Sequence, residues 1–130
     1  MIGIVIVAHG NLAREYLAAV EHVVGPQKGI VAITILPDDN RAEKQAEMGN
    51  AADAVDDGSG GVVVTDMFGG SPSNLSLRAC HATDRRIMYG ANLPMLIKLA
   101  KSRHRSVADA TKAAIEAAHR YIDAQTVGPL

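Results

Sequence analysis

Short apolar runs alternate along the chain with segments of helical periodicity. The runs are rich in Val and Ile and carry little polar-apolar alternation, as is typical of strands buried on both faces. In the other segments, apolar residues recur every three or four positions or strong helix formers dominate, which predicts helices. The predicted strands are residues 2–7, 30–36, 61–65 and 86–89, and the predicted helices are residues 12–24, 40–55, 71–81, 94–101 and 106–125.

Capping residues support several of these helix boundaries. The dipeptide Gly25-Pro26 ends the first helix, because glycine favours the position after a helix and proline cannot continue it. Residues 38–40, Asp-Asp-Asn, are predicted to cap the second helix. Ser71-Pro72 is a typical helix start, and residues 106–109 have the spacing of a capping box with Asp in place of Glu.

The order of elements predicts an α/β fold. Strands that alternate with helices form a mainly parallel sheet, here doubly wound and flavodoxin-like, with strand order 2-1-3-4 and helices on both faces. We expect residues 1–130 to form a single domain, with residues 126–130 as a short C-terminal tail. In such a sheet the ligand crevice lies beyond the carboxyl ends of strands 1 and 3.

Composition narrows the classes of partner. The chain has 130 residues, 48% hydrophobic and 21% charged, with a formal net charge of −1. That balance argues against nucleic acid or an anionic membrane as the main partner, since both require a strongly basic surface. No apolar stretch is long enough to span a bilayer, and the first residues do not resemble a signal peptide. A single cysteine, Cys80, leaves no internal disulfide, so we expect a cytoplasmic protein.

The first strand leads directly into His9-Gly10-Asn11, and the third strand leads into Asp66. Adjacent strands lie about 4.8 Å apart, so a carboxylate that ends strand 3 can reach an imidazole that ends strand 1. Asp66 would accept a hydrogen bond from one ring nitrogen of His9 and aim the other, unprotonated nitrogen into the crevice. The pair therefore predicts a histidine nucleophile oriented by a carboxylate.

Gly69, Gly70 and Ser71 follow Asp66 and are predicted to bind an anion. The glycines let the backbone approach a ligand closely, and the helix that follows presents free N–H groups. No lysine follows the glycines, so the segment is not a nucleotide P-loop. An oriented imidazole beside a phosphate-sized anion site indicates phosphoryl transfer, with no metal or cofactor required.

Other residues are expected at the rim of the crevice or in contact with a partner. Met67 and Phe68 are large apolar residues in a loop, where they either pack against the end of the sheet or dock a partner protein. The cationic stretch at residues 101–105 is expected to be a solvated helix end, with contact to an acidic partner as the alternative. The predicted rim residues are Gly10, Met67, Phe68, Asn92 and Pro94.

Three segments together carry a resemblance to a known family. Residues 7–10 (Val-Ala-His-Gly), residues 66–74 (Asp-Met-Phe-Gly-Gly-Ser-Pro-Ser-Asn) and residues 90–95 (Gly-Ala-Asn-Leu-Pro-Met) occur in the order and spacing of that family. The chain resembles the enzyme IIA domain of the mannose family of the sugar phosphotransferase system (PTS) over essentially its whole length.

The resemblance implies a phosphoryl carrier, commonly a homodimer that exchanges an edge element. It implies that His9 accepts phosphate from the phosphocarrier protein HPr and passes it to an enzyme IIB partner. It also implies that Asp66 is the partner of His9 and that Ser71 lies at the phosphate. The best-known members continue into a IIB domain, whereas this sequence ends at residue 130. We therefore expect IIB to be a separate chain or absent, and contact with the membrane only through the permease components.

Three other functions fit parts of the same pattern. A stand-alone regulatory IIA protein would signal through its phosphorylation state without transporting sugar. The phosphocarrier subunit of a dihydroxyacetone kinase would share the histidine after strand 1, but we expect a different loop after strand 3. A binding domain for small molecules would form no acid-labile phosphate.

Overall fold

The computed structural model describes residues 1–67 and 84–129. Four strands and four helices lie within these ranges. In chain order they are β1 (Gly3–His9), α1 (Leu12–Val24), β2 (Ile30–Ile35), α2 (Arg41–Val55), β3 (Gly61–Thr65), β4 (Arg85–Met88), α3 (Leu93–Lys101) and α4 (Val107–Arg120). The helix predicted at residues 71–81 lies outside the described residues, as do Phe68, Gly69, Gly70, Ser71 and Cys80.

The strands form one parallel sheet with the order β2-β1-β3-β4, which confirms the predicted topology. β1 is central and pairs with β2 on one side and with β3 on the other. Its seven residues are buried except the last, His9. The central strand therefore carries one exposed histidine to the carboxyl edge of the sheet, where its neighbours also end.

Helices cover both faces of the sheet, as the uninterrupted apolar strands predict. On one face, alternate residues of β1 and β3 pack against apolar side chains of α1, α3 and α4. On the other face, the intervening residues of β1, β2 and β3 pack against Met48 and Ala52 of α2. None of the helices in the described ranges is long and apolar enough to cross a membrane.

Side-chain caps fix where three helices begin. Asn40 Oδ1 accepts the N–H of Glu43 at 3.0 Å, so the polar segment before α2 caps that helix as predicted. Ser106 Oγ accepts the N–H of Asp109 at 3.1 Å at the start of α4. Asn92 Oδ1 caps α3 in the same way. These bonds satisfy N–H groups that have no acceptor within their own helix.

Two sequence predictions are wrong in detail. α4 ends at Arg120 and not at residue 125, because residues 121–129 are all exposed and offer no buried face to extend the helix. The cationic stretch is not simply solvated, since Arg103 is buried and its Nε donates to the carbonyl of Ile2 at 2.7 Å. Arg103 thereby joins the α3–α4 connection to the start of β1, at the end of the sheet opposite His9.

Gly3 gives a sharp test of how closely α2 packs on the sheet. A Cβ at Gly3 would collide with the carbonyl and the side chain of Val55, whereas a Cβ at Gly49 in the middle of α2 would meet nothing within 4 Å. We expect Gly3→Ala to lower the free energy of unfolding by about 1–3 kcal/mol through overpacking. Gly49→Ala, the matched control, should raise it by about 1 kcal/mol because alanine favours the helix. Urea denaturation of both variants measures the difference, and equal effects would contradict this account of the packing.

Candidate active site

The site is assembled by the pairing of β1 with β3. Val7 of β1 lies in register with Thr65, the last residue of β3. His9 and Asp66 therefore leave the sheet side by side at its carboxyl edge. The segment that precedes each of them is buried, so both backbones are fixed by the core up to the last strand residue.

One oxygen of Asp66 binds His9 twice. His9 Nδ1 lies 2.8 Å from Asp66 Oδ2, and the backbone N–H of His9 donates to the same oxygen at 3.1 Å. An ionised carboxylate can only accept hydrogen bonds, so Nδ1 carries the proton. In neutral imidazole the lone pair is then on Nε2, which is the nitrogen available to act as a nucleophile.

The two side chains differ in their exposure. The imidazole of His9 is 50% exposed, whereas the carboxylate of Asp66 is 13% exposed. Asp66 Oδ1 is buried and has no hydrogen-bond partner among the described residues. Burial acts to raise the pKa of Asp66. The hydrogen bonds from His9, and the positive charge of its ring when that ring is protonated, outweigh burial and hold the pKa of Asp66 below its ordinary value. Asp66 is therefore an anion behind the ring throughout the neutral pH range.

Tyr16 of α1 supports the same corner of the sheet. Its hydroxyl donates to the carbonyl of Ala91 at 3.0 Å, and the N–H of Ala91 donates to the carbonyl of Thr65, also at 3.0 Å. Burial raises the pKa of Tyr16, and the negative charge of Asp66 raises it further. The hydroxyl therefore stays protonated and links α1 to the residues just after β4 and to the end of β3.

A cavity of about 420 Å³ opens beside His9, and most of its lining comes from the end of β2 and the start of α2. Its position follows from the parallel pairing of β1 with β2, in which His9 lies in register with Ile35. No residue of this segment was predicted from the sequence to lie in the site. The lining residues are His9, Gly10, Ile35, Leu36, Pro37, Asp39, Arg41 and Lys44.

Of the predicted rim residues, Gly10 lines the cavity that contains His9, whereas Met67 does not. Gly10 lines the His9 cavity and has a φ of +57°, in the left-handed region that glycine adopts most readily. Its N–H donates to the carbonyl of Ile35 at 2.9 Å, so the turn after His9 is held against β2. Met67 directly follows Asp66 and is 55% exposed.

Asn92 and Pro94 do not line the cavity that contains His9. The side-chain nitrogen of Asn92 donates to the carbonyl of Ala118 at 3.0 Å, while its oxygen caps α3. Pro94 lines a separate groove between α3 and α4. The predicted anion-binding residues 69–71 lie outside the described residues. Within the described ranges, no three His, Cys, Asp or Glu side chains are grouped to hold a metal ion.

Residues 3–116 match the family model described as "PTS system fructose IIA component". The chain belongs to this family of IIA components of the phosphotransferase system. The match confirms the resemblance seen in the sequence, and the role of IIA components is to carry phosphoryl groups in sugar uptake.

Named relatives agree with the family assignment. The mannose-specific EIIAB component of Escherichia coli K12 is 35% identical over 104 residues, which cover 78% of this chain and 32% of the relative. The chain thus spans about a third of the length of that curated relative. The solved EIIA component from Streptococcus agalactiae is 30% identical, with a TM-score of 0.84 over 95% of this chain and 97% of that one.

A more distant solved structure supports the fold only. The mannose/sorbose-specific IIA subunit from Enterococcus faecalis is 22% identical, with a TM-score of 0.86 over 99% of this chain and 98% of that one.

The lowered pKa of Asp66 predicts how acid affects stability. Because the folded-state pKa lies below the ordinary 3.8, ionised Asp66 contributes stability that is fully present above 3.8 and is lost as the pH falls through the lowered value. Asp66→Asn removes the titrating group. Over this acid range, the free energy of unfolding should fall in both proteins. We expect the fall to be smaller in the variant than in the wild type by on the order of 1 kcal/mol.

Urea unfolding at a series of acidic pH values measures this difference. Asp123→Asn is the control, because Asp123 is exposed and, among the described residues, its carboxylate accepts only the N–H of its neighbour Ala124. If Asp66→Asn and the wild type lost stability in parallel as the pH fell, the contribution assigned to the His9–Asp66 contact would be wrong.

Proposed function

We propose that His9 is the residue of this IIA component that carries the phosphoryl group, which it accepts on Nε2 from HPr and passes to an enzyme IIB component. The contact of 2.8 Å between His9 Nδ1 and Asp66 Oδ2 is the main support, because in the neutral form of this half-exposed ring it leaves the lone pair on Nε2. Family membership supplies the type of chemistry. The half-exposed position suits a residue that must meet two different proteins in turn.

The transfer step uses the groups of the pair directly. The lone pair of Nε2 attacks the phosphorus, and the bond from phosphorus to the donor's histidine nitrogen breaks as the new N–P bond forms. His9 Nδ1 keeps its proton, so the ring becomes positively charged while phosphorylated. That charge faces the Asp66 carboxylate, which stabilises it. We expect Gly69, Gly70 and Ser71 to donate hydrogen bonds to the phosphoryl oxygens.

The partners follow from this proposal. A IIB component as a separate chain would take the phosphoryl group onward for sugar uptake, and we expect the exchange to occur in the cytoplasm. The regulatory role and the dihydroxyacetone kinase role use the same chemistry on His9 with another acceptor. No contact among the described residues favours either of them.

We also propose that the chain is a homodimer whose interface includes the outer edge of β4. Among the described residues β4 is the last strand of the sheet, with a cavity of about 490 Å³ beside it that α4 helps to line. Ile115 and Ile122 line this cavity and are 47% and 70% exposed. Apolar side chains beside a sheet edge are typical of a surface that a partner covers.

Phosphorylation of His9 is directly testable. After incubation with enzyme I, HPr and phosphoenolpyruvate, we expect the wild type to gain about 80 Da of mass that acid removes. His9→Ala should gain none, because no other described histidine has a carboxylate positioned on its ring nitrogen. His104→Ala is the matched control, since His104 is exposed at the opposite end of the sheet, and it should gain the same mass as the wild type. Acid-labile phosphate on His9→Ala would overturn the proposal.

The dimer is testable by light scattering coupled to size-exclusion chromatography. We expect the wild type to have twice the mass of one chain. Ile115→Glu should shift it to the mass of one chain, because the substitution places a charge in the apolar interface. Val23→Glu on α1 is the control, because Val23 is similarly exposed at 54% and lies outside the proposed interface. A wild type of single-chain mass would rule out the dimer.

A further inference from the structure

The cavity beside His9 has a cationic wall that comes from the start of α2. Arg41 and Lys44 both line it, and Asp39 is the one acidic residue among the described residues that line it. These side chains face the nucleophile because β2 is the neighbour of β1 and both strands end at the same edge. The nitrogen proposed to accept the phosphoryl group and these charged side chains therefore border the same cavity. Membership of the IIA family does not by itself explain the charged side chains.

Asp39 and Lys44 are already engaged with other groups. Asp39 Oδ2 accepts the N–H of Leu36 at 2.7 Å and lies 3.8 Å from Lys44 Nζ. Lys44 Nζ also donates to Glu47 Oε1 at 2.9 Å. These contacts fix the turn before α2 and offset the negative charge of Asp39, which would otherwise repel a phosphoryl group.

Arg41 is different, because its guanidinium makes no ion pair or hydrogen bond with any described residue. It is exposed, lies at the first position of α2 and lines the same cavity as His9. The start of α2 is held in place by the cap from Asn40 to Glu43. Arg41 therefore presents five N–H donors and a permanent positive charge to the cavity from a fixed backbone position.

We propose that Arg41 binds the phosphoryl group as it is transferred to His9 and while it stays there, an inference that rests on the function proposed above. Asp66 holds Nδ1 on one side of the ring, so a phosphoryl group on Nε2 lies on the other side. The group carries close to two negative charges at neutral pH. A guanidinium matches phosphoryl oxygens with two parallel N–H donors, which a lysine ammonium cannot do.

Arg41 would contribute its positive charge from the α2 side of the cavity that contains His9. The phosphoryl oxygens carry most of the charge in the transition state, so an additional cation at their periphery lowers the barrier to transfer. Arg41 is exposed, and the effect of its charge should therefore weaken with increasing salt.

A small phosphoryl donor separates this contact from protein docking. Phosphoramidate phosphorylates histidine without HPr, so its rate depends on contacts with the phosphoryl group alone. We expect Arg41→Gln to lower the rate of His9 phosphorylation by phosphoramidate about 10-fold, equivalent to one charge-assisted hydrogen bond, and to lower the rate with phospho-HPr at least as much. Arg41→Lys should recover part of the rate, because it restores the charge without the paired donors.

Arg105→Gln is the matched control, because Arg105 is an exposed arginine beyond α3, at the far end of the sheet. His9 in this variant should be phosphorylated at the wild-type rate by both donors. Unchanged phosphoramidate kinetics in Arg41→Gln would overturn the proposal, and a loss confined to phospho-HPr would make Arg41 a docking contact instead. A wild type that accepted phosphate from neither donor would overturn the proposed function itself. Circular dichroism of each variant checks that the fold is intact.

Discussion

The site depends on a single carboxylate oxygen that accepts two hydrogen bonds from the same residue. Asp66 Oδ2 binds the ring nitrogen and the backbone N–H of His9, so it fixes the tautomer and also the position of the ring relative to β1. Without these contacts, the imidazole could rotate about the bonds that join it to the backbone. With both contacts in place, Nε2 is presented in one direction, which lowers the entropy lost when a reacting group approaches it.

That double contact requires the parallel sheet in its observed register. Side chains alternate between the two faces of a strand, so a shift of β3 by one residue would move Asp66 relative to His9 and exchange the buried faces. The register is enforced from both sides, because β1 and β3 each bury alternate residues in two different cores. The close approach of Gly3 to Val55 shows how little space remains between the sheet and α2. The same strand register therefore determines both the packing of the core and the geometry of the site.

Features that depend on local signals or on topology could be predicted from the sequence. The strand order, the caps of α2 and α4 and the meeting of His9 with Asp66 follow from hydrophobic runs, polar caps and the shared edge of parallel strands. Features set by side-chain packing could not. Arg103 looks like a solvated charge until its contact with Ile2 is known. Arg41 and Lys44 could have been found, because the same edge rule also applies to the residues after β2.

The charges around the ring are arranged in a way that suits a carrier. Asp66 is mostly buried and lies against the ring, where its charge is little screened and acts on the imidazole itself. Arg41, on the other wall, is exposed, so its attraction for a phosphoryl group would be screened by water and ions. A carrier must release the phosphoryl group that it accepts. A strong contact with that group would therefore hinder the second transfer. In the proposed mechanism, the strong interaction at the ring would orient His9, and the screened attraction from Arg41 would not prevent the second transfer.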